Sequence, residues 1–176
     1  MTKNELGKLI FKTSNIKGSF KLRSGKISDE YFDKYLFESN PEILEGIAKE
    51  LNLLIETKFD FLAGLEMGGI PIATSLSIKS KIPALFIRKK AKEYGTCRLA
   101  EGGEIKDKKL LIIEDVVTSG GAILDAVIEL RKLGAIVDDV LCVIDREDTG
   151  RKNLEKANLN FRSLFTKNEL FVLGQQ

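Results

Sequence analysis

Hydrophobic and polar positions follow two different periods along the chain, and each period predicts a different kind of element. In the first third, apolar residues recur at helical spacing over residues 3–12 and again over about 41–57. Asn40 and the proline after it mark the start of the second helix, since asparagine caps helices and proline suits their first turn. Two short runs between these helices, 18–22 and 28–32, are separated by turn-forming residues and predict a hairpin.

Beyond residue 58 the pattern changes to short aliphatic runs separated by longer amphipathic segments. Continuous aliphatic strands that alternate with helices indicate a parallel sheet covered on both faces. We therefore predict an α/β fold of three layers, with a central, mainly parallel sheet and a small N-terminal lobe, here called the hood (residues 1–39). In such folds ligands bind beyond the carboxyl ends of the strands. The predicted strands are 59–65, 84–87, 110–113, 137–144 and 161–164, and the predicted helices are 70–80, 121–133, 151–157 and 167–173.

Composition and charge narrow the functional classes. The 176 residues suit one domain (1–176), and 28 lysines and arginines against 26 acidic residues give a net charge of +2. That balance argues against a nucleic-acid partner, which would call for an excess of positive charge. The chain has no histidine, which excludes Ser-His-Asp hydrolases and histidine-ligated zinc. No apolar run has the length of a signal peptide or a membrane span, and the 2 cysteines lie far apart. The sequence therefore predicts a soluble cytoplasmic protein without a membrane partner.

The stretch after the strand at 110–113 carries most of the candidate chemistry. Two carboxylates, Glu114 and Asp115, precede a turn that is rich in hydroxyl groups and glycine and that opens a helix. Successive amide groups in such a turn, with the positive end of a helix behind them, form a cradle for a phosphate. An acidic turn before a capped helix is the simpler alternative. Because two carboxylates would repel a phosphate alone, they fit a site that also holds sugar hydroxyls or a divalent cation. The turn comprises Val117, Thr118, Ser119, Gly120, Gly121 and Ala122.

Three further segments carry groups that suit an anionic substrate. A cationic segment follows the strand at 84–87; taken alone it fits a solvated loop equally well, but beside a phosphate cradle it would clamp a pyrophosphate. A glycine-rich segment, 64–71, follows another strand, and an acid–arginine pair follows the strand at 137–144. The hood adds a cation and two aromatic rings, which suit a flat ring. The residues concerned are Arg88, Lys89, Lys92 and Tyr94; Gly68; Asp145 and Arg146; and Arg23, Tyr31 and Phe32.

In this order along the chain, the segments resemble the motifs of the type I phosphoribosyltransferases. The hood, the cationic segment and the acid–arginine pair are similar to those of the orotate branch. The resemblance implies that Glu114 and Asp115 bind the ribose hydroxyls of phosphoribosyl pyrophosphate (PRPP), and that the turn 117–122 binds its 5-phosphate. It implies Mg²⁺ as the cofactor, carried by the substrate near the two acids. The remaining PRPP-binding residues implied are Gly68, Arg88, Lys89, Lys92 and Tyr94.

The same resemblance implies catalytic roles for Lys92 and Asp115, and a homodimer in which the loop that carries Lys92 is shared across the interface. Three positions depart from the usual pattern of the branch: Arg23 and Gly68 each stand where members carry a lysine, and Tyr94 stands where many carry a histidine. The implied orotate-binding residues are Arg23, Tyr31, Phe32, Thr118 and Arg146.

The expected function is the transfer of the phosphoribosyl group from PRPP to orotate, which yields orotidine 5′-monophosphate and pyrophosphate in pyrimidine (UMP) biosynthesis. One alternative is a purine or uracil phosphoribosyltransferase, which Arg146 and the hood pattern oppose because they suit a carboxylated pyrimidine. A second alternative is a non-catalytic regulator that senses PRPP and acts on nucleic acid. Such a regulator would call for a helix-turn-helix segment or a basic stripe, for which the sequence offers neither charge nor room.

Overall fold

The computed structural model describes residues 1–21, 25–91 and 98–176. The hood contains α1 (Lys3–Ser14), β1 (Asn15–Lys21), β2 (Ile27–Phe32) and α2 (Lys34–Glu38). The rest of the chain forms α3 (Pro41–Asn52), β3 (Phe61–Leu65), α4 (Glu66–Ser80), β4 (Ala84–Ile87), β5 (Ala100–Glu101), β6 (Lys109–Val117), α5 (Gly121–Lys132), β7 (Ile136–Asp145), α6 (Asp148–Lys156), β8 (Asn160–Thr166) and α7 (Lys167–Gly174).

The central sheet has six strands in the order β5-β4-β3-β6-β7-β8, and every neighbouring pair except β4–β5 is parallel. Alternate residues of β6 face opposite sides, so Leu111 and Ile113 pack into one core and Leu110 and Ile112 into the other. The first core takes its side chains from α1, α2, α3, α4 and α7, and the second from α5 and α6. The predicted three-layer α/β fold with a mainly parallel sheet is therefore confirmed.

In the hood, β1 and β2 pair antiparallel, as the hairpin prediction required. The short helix α2 follows directly and was not predicted. It begins because the Asp33 carboxylate accepts a hydrogen bond from the Tyr35 amide and caps its first turn. α2 packs against α3 and α1, which joins the hood to the first core. This short helix brings two charged side chains to the end of the central strand.

Two boundaries differ from the prediction in ways that affect the site. The prediction ended the third strand near Ile113, but β6 continues to Val117 because Val116 and Val117 pair with Ile144 and Asp145 of β7. Glu114 and Asp115 are thus residues of strand β6.

The second difference concerns α4, which begins four residues before its predicted start. Glu66 adopts a left-handed backbone conformation (φ 47°), so that the chain turns from β3 into the helix within one residue. The segment 64–71 is therefore mostly the first turns of a helix, with Pro71 inside it. By contrast, α3 ends at Asn52, earlier than predicted, and the carbonyl of Leu54 accepts a hydrogen bond from Arg162.

Gly69 holds α4 against the central strand, and its replacement tests this packing. A Cβ at Gly69 would lie 2.3 Å from the carbonyl oxygen of Ile113 in β6. Because backbone cannot yield as a side-chain tip can, we expect Gly69→Ala to lower the free energy of unfolding by about 2 kcal/mol in urea titrations. The control is Gly121→Ala, where an added Cβ meets only the Ser119 hydroxyl at 3.7 Å. Equal stability of both variants would contradict the proposed close contact.

Within the described part of the chain, no helix combines the length and the apolar character that crossing a membrane requires.

Candidate functional site

Two cavities open at the carboxyl edge of the sheet, one on each side of the end of β6. The larger has a volume of about 790 Å³ and is lined by residues of α4, the end of β4, the start of α5 and the hood helix α2. The smaller, about 260 Å³, lies between the hood hairpin, α1, α7 and the ends of β6 and β7. Glu114 lines the larger cavity and Val116 the smaller, so the end of β6 is a wall common to both.

The turn between β6 and α5 has the geometry of an anion cradle. Gly120 is in the left-handed conformation (φ 76°), which a side chain would strain, and it provides no side-chain cap for α5. Apart from a long hydrogen bond of 3.5 Å from the Gly121 amide to the Ser119 hydroxyl, the first amides of α5 have no side-chain acceptor among the described residues at the positive end of the helix. Thr118 and Ser119 are exposed and add hydroxyl groups, whereas the side chain of Val117 is buried in the second core. Only the backbone of Val117 faces the turn.

A brace behind this turn comes from α6 and was not predicted from the sequence. The side-chain amide of Asn153 donates a hydrogen bond of 3.0 Å to the carbonyl of Ser119. Gly150 packs so closely that a Cβ there would lie 2.5 Å from the carbonyl oxygen of Thr118. These contacts hold the turn from the side away from the cavity. A glycine and an amide spaced three apart on a helix were the only sequence signal for them.

Four charged side chains converge beneath the larger cavity: Lys34, Glu38, Glu114 and Asp115. Asp115 is the centre of this group, and its carboxylate has no exposed surface. One of its oxygens, Oδ2, lies 2.5 Å from the ammonium of Lys34, and the other accepts a hydrogen bond from the Val116 amide. Glu38, also buried, and Glu114 both share hydrogen bonds with Asp115. The sequence identified the two acids of β6, whereas the two α2 residues were missed.

The three carboxyl groups lie close together, and their pKa values shift in opposite directions. Burial, followed by the hydrogen bond to Asp115 and repulsion from its charge, raises the pKa of Glu38 and that of Glu114 to about 9 each. Burial alone would raise the pKa of Asp115 too, but hydrogen bonds from Glu38, Glu114 and Lys34 outweigh it and lower that pKa. At neutral pH the group therefore contains one carboxylate, two neutral carboxyls and one ammonium.

The cationic residues after β4 lie on the rim of the larger cavity. Arg88, Lys89 and Gly68 line it together with Glu114, so the structure brings these predicted site residues to one place. The backbone of Lys89 is fixed by a hydrogen bond from its amide to the Glu66 carboxylate. Gly121 and Ala122 of the cradle line the same cavity. The predicted residues Arg23, Lys92 and Tyr94 lie outside the described parts of the chain.

The smaller cavity gathers the remaining predicted residues. Tyr31, Phe32 and Arg146 line it, and the Tyr31 ring is supported by that of Phe20, with ring centres 5.5 Å apart. Arg146 is exposed and forms no ion pair with any residue in the described ranges. Lys167, which the sequence did not suggest, also lines the cavity. An apolar wall with a free guanidinium suits a flat ring that carries a carboxylate.

The acid–arginine pair at the end of β7 is not a pair in the structure. Asp145 is buried and accepts a hydrogen bond of 3.1 Å from Nε of Arg151 in α6, and its Oδ2 forms an ion pair with Nη2 of the same guanidinium at 2.9 Å. Arg151 also donates to the carbonyl of Phe161 and lies over the ring of that residue. Asp145 thus has a structural role, and Arg146 remains available to a ligand.

Comparisons with known proteins agree with this geometry. The model of the phosphoribosyl transferase domain family matches residues 37–167. An orotate phosphoribosyltransferase from Nocardioides sp. is 51% identical over 153 residues, which cover 87% of this chain and 86% of the relative.

Solved structures show the same similarity. The orotate phosphoribosyltransferase of Mycobacterium tuberculosis H37Rv, in complex with Fe(III) dicitrate, superposes with a TM-score of 0.87 at 29% identity, covering 96% of this chain and 98% of the other. A structure of the M. tuberculosis enzyme in complex with PRPP gives a TM-score of 0.83 at 26% identity, with the same two coverages.

Proposed function

Because this chain belongs to the phosphoribosyltransferase family and its relatives are orotate phosphoribosyltransferases, we propose that it transfers the phosphoribosyl group of PRPP to orotate. The products are orotidine 5′-monophosphate and pyrophosphate. The observation that carries the choice of orotate is that Arg146, which forms no ion pair with the described residues, lies in a cavity with an aromatic wall. An adenine phosphoribosyltransferase from Trypanosoma brucei is also similar in structure, but at 18% identity this likeness shows the fold alone.

The larger cavity is our proposed site for PRPP. The uncapped amides at the start of α5 would bind the 5-phosphate, with Thr118 and Ser119 as additional donors. Glu114, on the wall of this cavity, would bind ribose hydroxyls. Asp115 is buried behind Glu114 and would act on PRPP indirectly, by holding its partners Lys34 and Glu38 in place. Arg88 and Lys89 would bind the pyrophosphate, whose charge suits a fork of donors and a point charge.

The smaller cavity is our proposed site for orotate, with Arg146 on the carboxylate and Tyr31 and Phe32 against the ring. Arg23 and Thr118 belong to the same proposal through the sequence resemblance. The charge of orotate lies on its carboxylate, so the ring nitrogen loses its proton as the new bond forms. In a chain without histidine, that proton would pass to the departing pyrophosphate or to water. The two substrates would meet at the end of β6, between Glu114 and Val116.

Mg²⁺ is proposed as the cofactor, bound mainly through the substrate. Mg²⁺ in sites of this kind is held by one or two carboxylates together with substrate phosphates, which suits a cavity whose wall offers the carboxyl group of Glu114. Glu114, the acid on the cavity wall, is the residue that would hold it, and it would lose its proton on doing so. When bound, the ion would neutralise charge on the leaving pyrophosphate.

The reaction breaks the bond between the anomeric carbon and pyrophosphate and forms one to a ring nitrogen of orotate. Glycosyl transfers of this kind pass through a transition state with oxocarbenium character. The protein's part is to align the two substrates and to stabilise the negative charge that grows on pyrophosphate. Arg88 and Lys89 are placed for this stabilisation, and the resemblance adds Lys92 as a catalytic residue. We also propose a homodimer that shares the Lys92 loop and works in the cytoplasm.

An assay of base specificity tests the proposed function. The protein is supplied with Mg²⁺ and PRPP, and orotate, uracil, adenine, hypoxanthine and guanine are offered separately while pyrophosphate release is followed. We expect release with orotate only. Release with another base would overturn the assignment of the smaller cavity. Binding of PRPP without release for any base would instead indicate a sensor of PRPP.

The role of Arg146 predicts a selective defect. We expect Arg146→Gln to raise the KM for orotate by about thirtyfold, which corresponds to about 2 kcal/mol for a charge-assisted hydrogen bond, and to leave the KM for PRPP nearly unchanged. Steady-state kinetics with each substrate varied separately measure the two constants. The control is Arg98→Gln, which removes an exposed arginine that pairs with Glu104 away from the smaller cavity. An equal rise in both KM values would contradict the assignment.

A further inference from the structure

The hood helix α2 presents a cation and an acid to the centre of the site. Lys34 and Glu38 are its first and last residues, and their spacing of four places both side chains on one face. Lys34 is half-buried, with 32% of its side chain exposed, and its ammonium lies 2.5 Å from the buried Oδ2 of Asp115. The same ammonium also lies over the ring of Tyr35, 5.1 Å from the ring centre. Lys34 is thus held in one position.

On the α4 side of Asp115 there is no room for any side chain. A Cβ at Gly68 would lie 1.9 Å from Asp115 Oδ2 and 2.5 Å from its Cγ. The first turns of α4 therefore cannot contribute a cation from this position. Lys34 enters the same space from the hood instead, because its ammonium binds the oxygen that a residue 68 side chain would displace.

Lys34 also faces the larger cavity. It lines this cavity together with Gly68, Arg88, Lys89 and Glu114. An ammonium has three N–H donors, of which Asp115 needs one. The others are available to a ligand in the cavity, where an anion would meet Lys34 on one wall and the rim cations on the other.

We propose that Lys34 is a binding residue for PRPP, whose ammonium links the buried Asp115 to the pyrophosphate or ribose oxygens of that donor. The inference rests on the proposed function, since it takes PRPP as the ligand of the larger cavity. It assigns to the hood a role in binding the donor in addition to its proposed role in binding the acceptor. It also explains how the site can function with a glycine at residue 68, where members of the orotate branch carry a lysine. Lys34 places a cation in the same space from the hood.

The test is direct binding of Mg²⁺-PRPP to Lys34→Met by calorimetry, without any acceptor. The variant keeps the length of the stem and loses the charge, so we expect the dissociation constant to rise by about tenfold or more. The KM for orotate should change by less than about twofold. Donor affinity equal to that of the unmodified protein would overturn the inference. If Lys34→Met does not fold, Lys34→Gln, which can still donate to Asp115, takes its place. The same rise in the dissociation constant for PRPP is then expected, and an unchanged constant would overturn the inference.

A matched control exists at the other end of β6. Lys109 is exposed to a similar extent (35%), lies 3.9 Å from the largely buried Asp139, and sits over the ring of Phe59. Lys109→Met should bind PRPP like the unmodified protein. Chemical rescue distinguishes a binding role of the ammonium from a purely structural role of the side chain. Added ethylammonium should restore the affinity of Lys34→Ala for PRPP, and failure to do so would count against the inference. Lack of transfer to orotate by the unmodified protein would instead refute the proposed function.

Discussion

Asp115→Asn is expected to weaken binding of PRPP by about a hundredfold, because it removes the one carboxylate that organises the site. The asparagine has nearly the same shape, so the loss reports on charge rather than on volume. Lys34 would then lie against a neutral amide, and the two neutral carboxyls, Glu38 and Glu114, would share the single acceptor oxygen that the amide retains. Breaking one member of a buried charge pair leaves the other without compensation, which is the source of the large effect.

Calorimetric titration with Mg²⁺-PRPP measures this loss, at a temperature where unfolding curves show the variant to be folded. Asp139→Asn is the matched control, since Asp139 is also a buried acid paired with cations, Arg162 at 3.3 Å and Lys109 at 3.9 Å, but lies near the opposite end of the sheet. We expect that variant to lose stability and to keep its affinity for PRPP. An unchanged affinity in Asp115→Asn would rule out a role for its charge in donor binding.

Glu38→Gln is expected to stabilise the protein increasingly as the pH rises from 5 to 9. In the folded state the pKa of Glu38 is raised to about 9, whereas the unfolded chain has the ordinary value of 4.5. Between these values the folded state holds a proton that the unfolded state releases, so stability falls with pH by no more than about 1.4 kcal/mol per pH unit. Glutamine donates a similar hydrogen bond to Asp115 without needing a proton, and therefore escapes this loss.

Urea unfolding at pH 5, 7 and 9 measures the difference in free energy between Glu38→Gln and the unmodified protein. The difference should be small at pH 5 and should widen at each step. Glu45→Gln, on the exposed face of α3, is the control and should show no such trend. A difference that stays constant with pH would mean that Glu38 is ionised in the folded protein.

The sequence predicted the sheet and most of its helices because the aliphatic runs of a parallel sheet are unambiguous. Strand β4 was predicted with its observed limits, and the Asn40 cap of α3 is confirmed by hydrogen bonds to the Glu42 and Ile43 amides. Periodicity does not reveal β5, which is only two residues long and pairs at the edge. It also placed the start of α4 too late, because two glycines and a proline disfavour a helix that tertiary packing nevertheless imposes.

The candidate site was predictable where adjacent residues form a recognisable turn, and not where distant segments meet. The cradle at 117–122 could be found in this way, because its hydroxyls and glycines are consecutive in the chain. Lys34 and Glu38 could not be found, since only the fold brings them to Asp115. A spacing of four after the Asp33 cap was the available signal, but a solvated helix has the same pattern.

The common wall formed by the end of β6 has a consequence for how this scaffold can diversify. On the assignment proposed above, the acceptor meets Val116 and the hood, while the donor meets Glu114 and the turn before α5. Mutations that reshape the smaller cavity therefore need not disturb the anion cradle. The preference for an acceptor base can therefore change by mutation while binding of the donor is retained. Laboratory selection for a new base would start with the hood hairpin and residue 146.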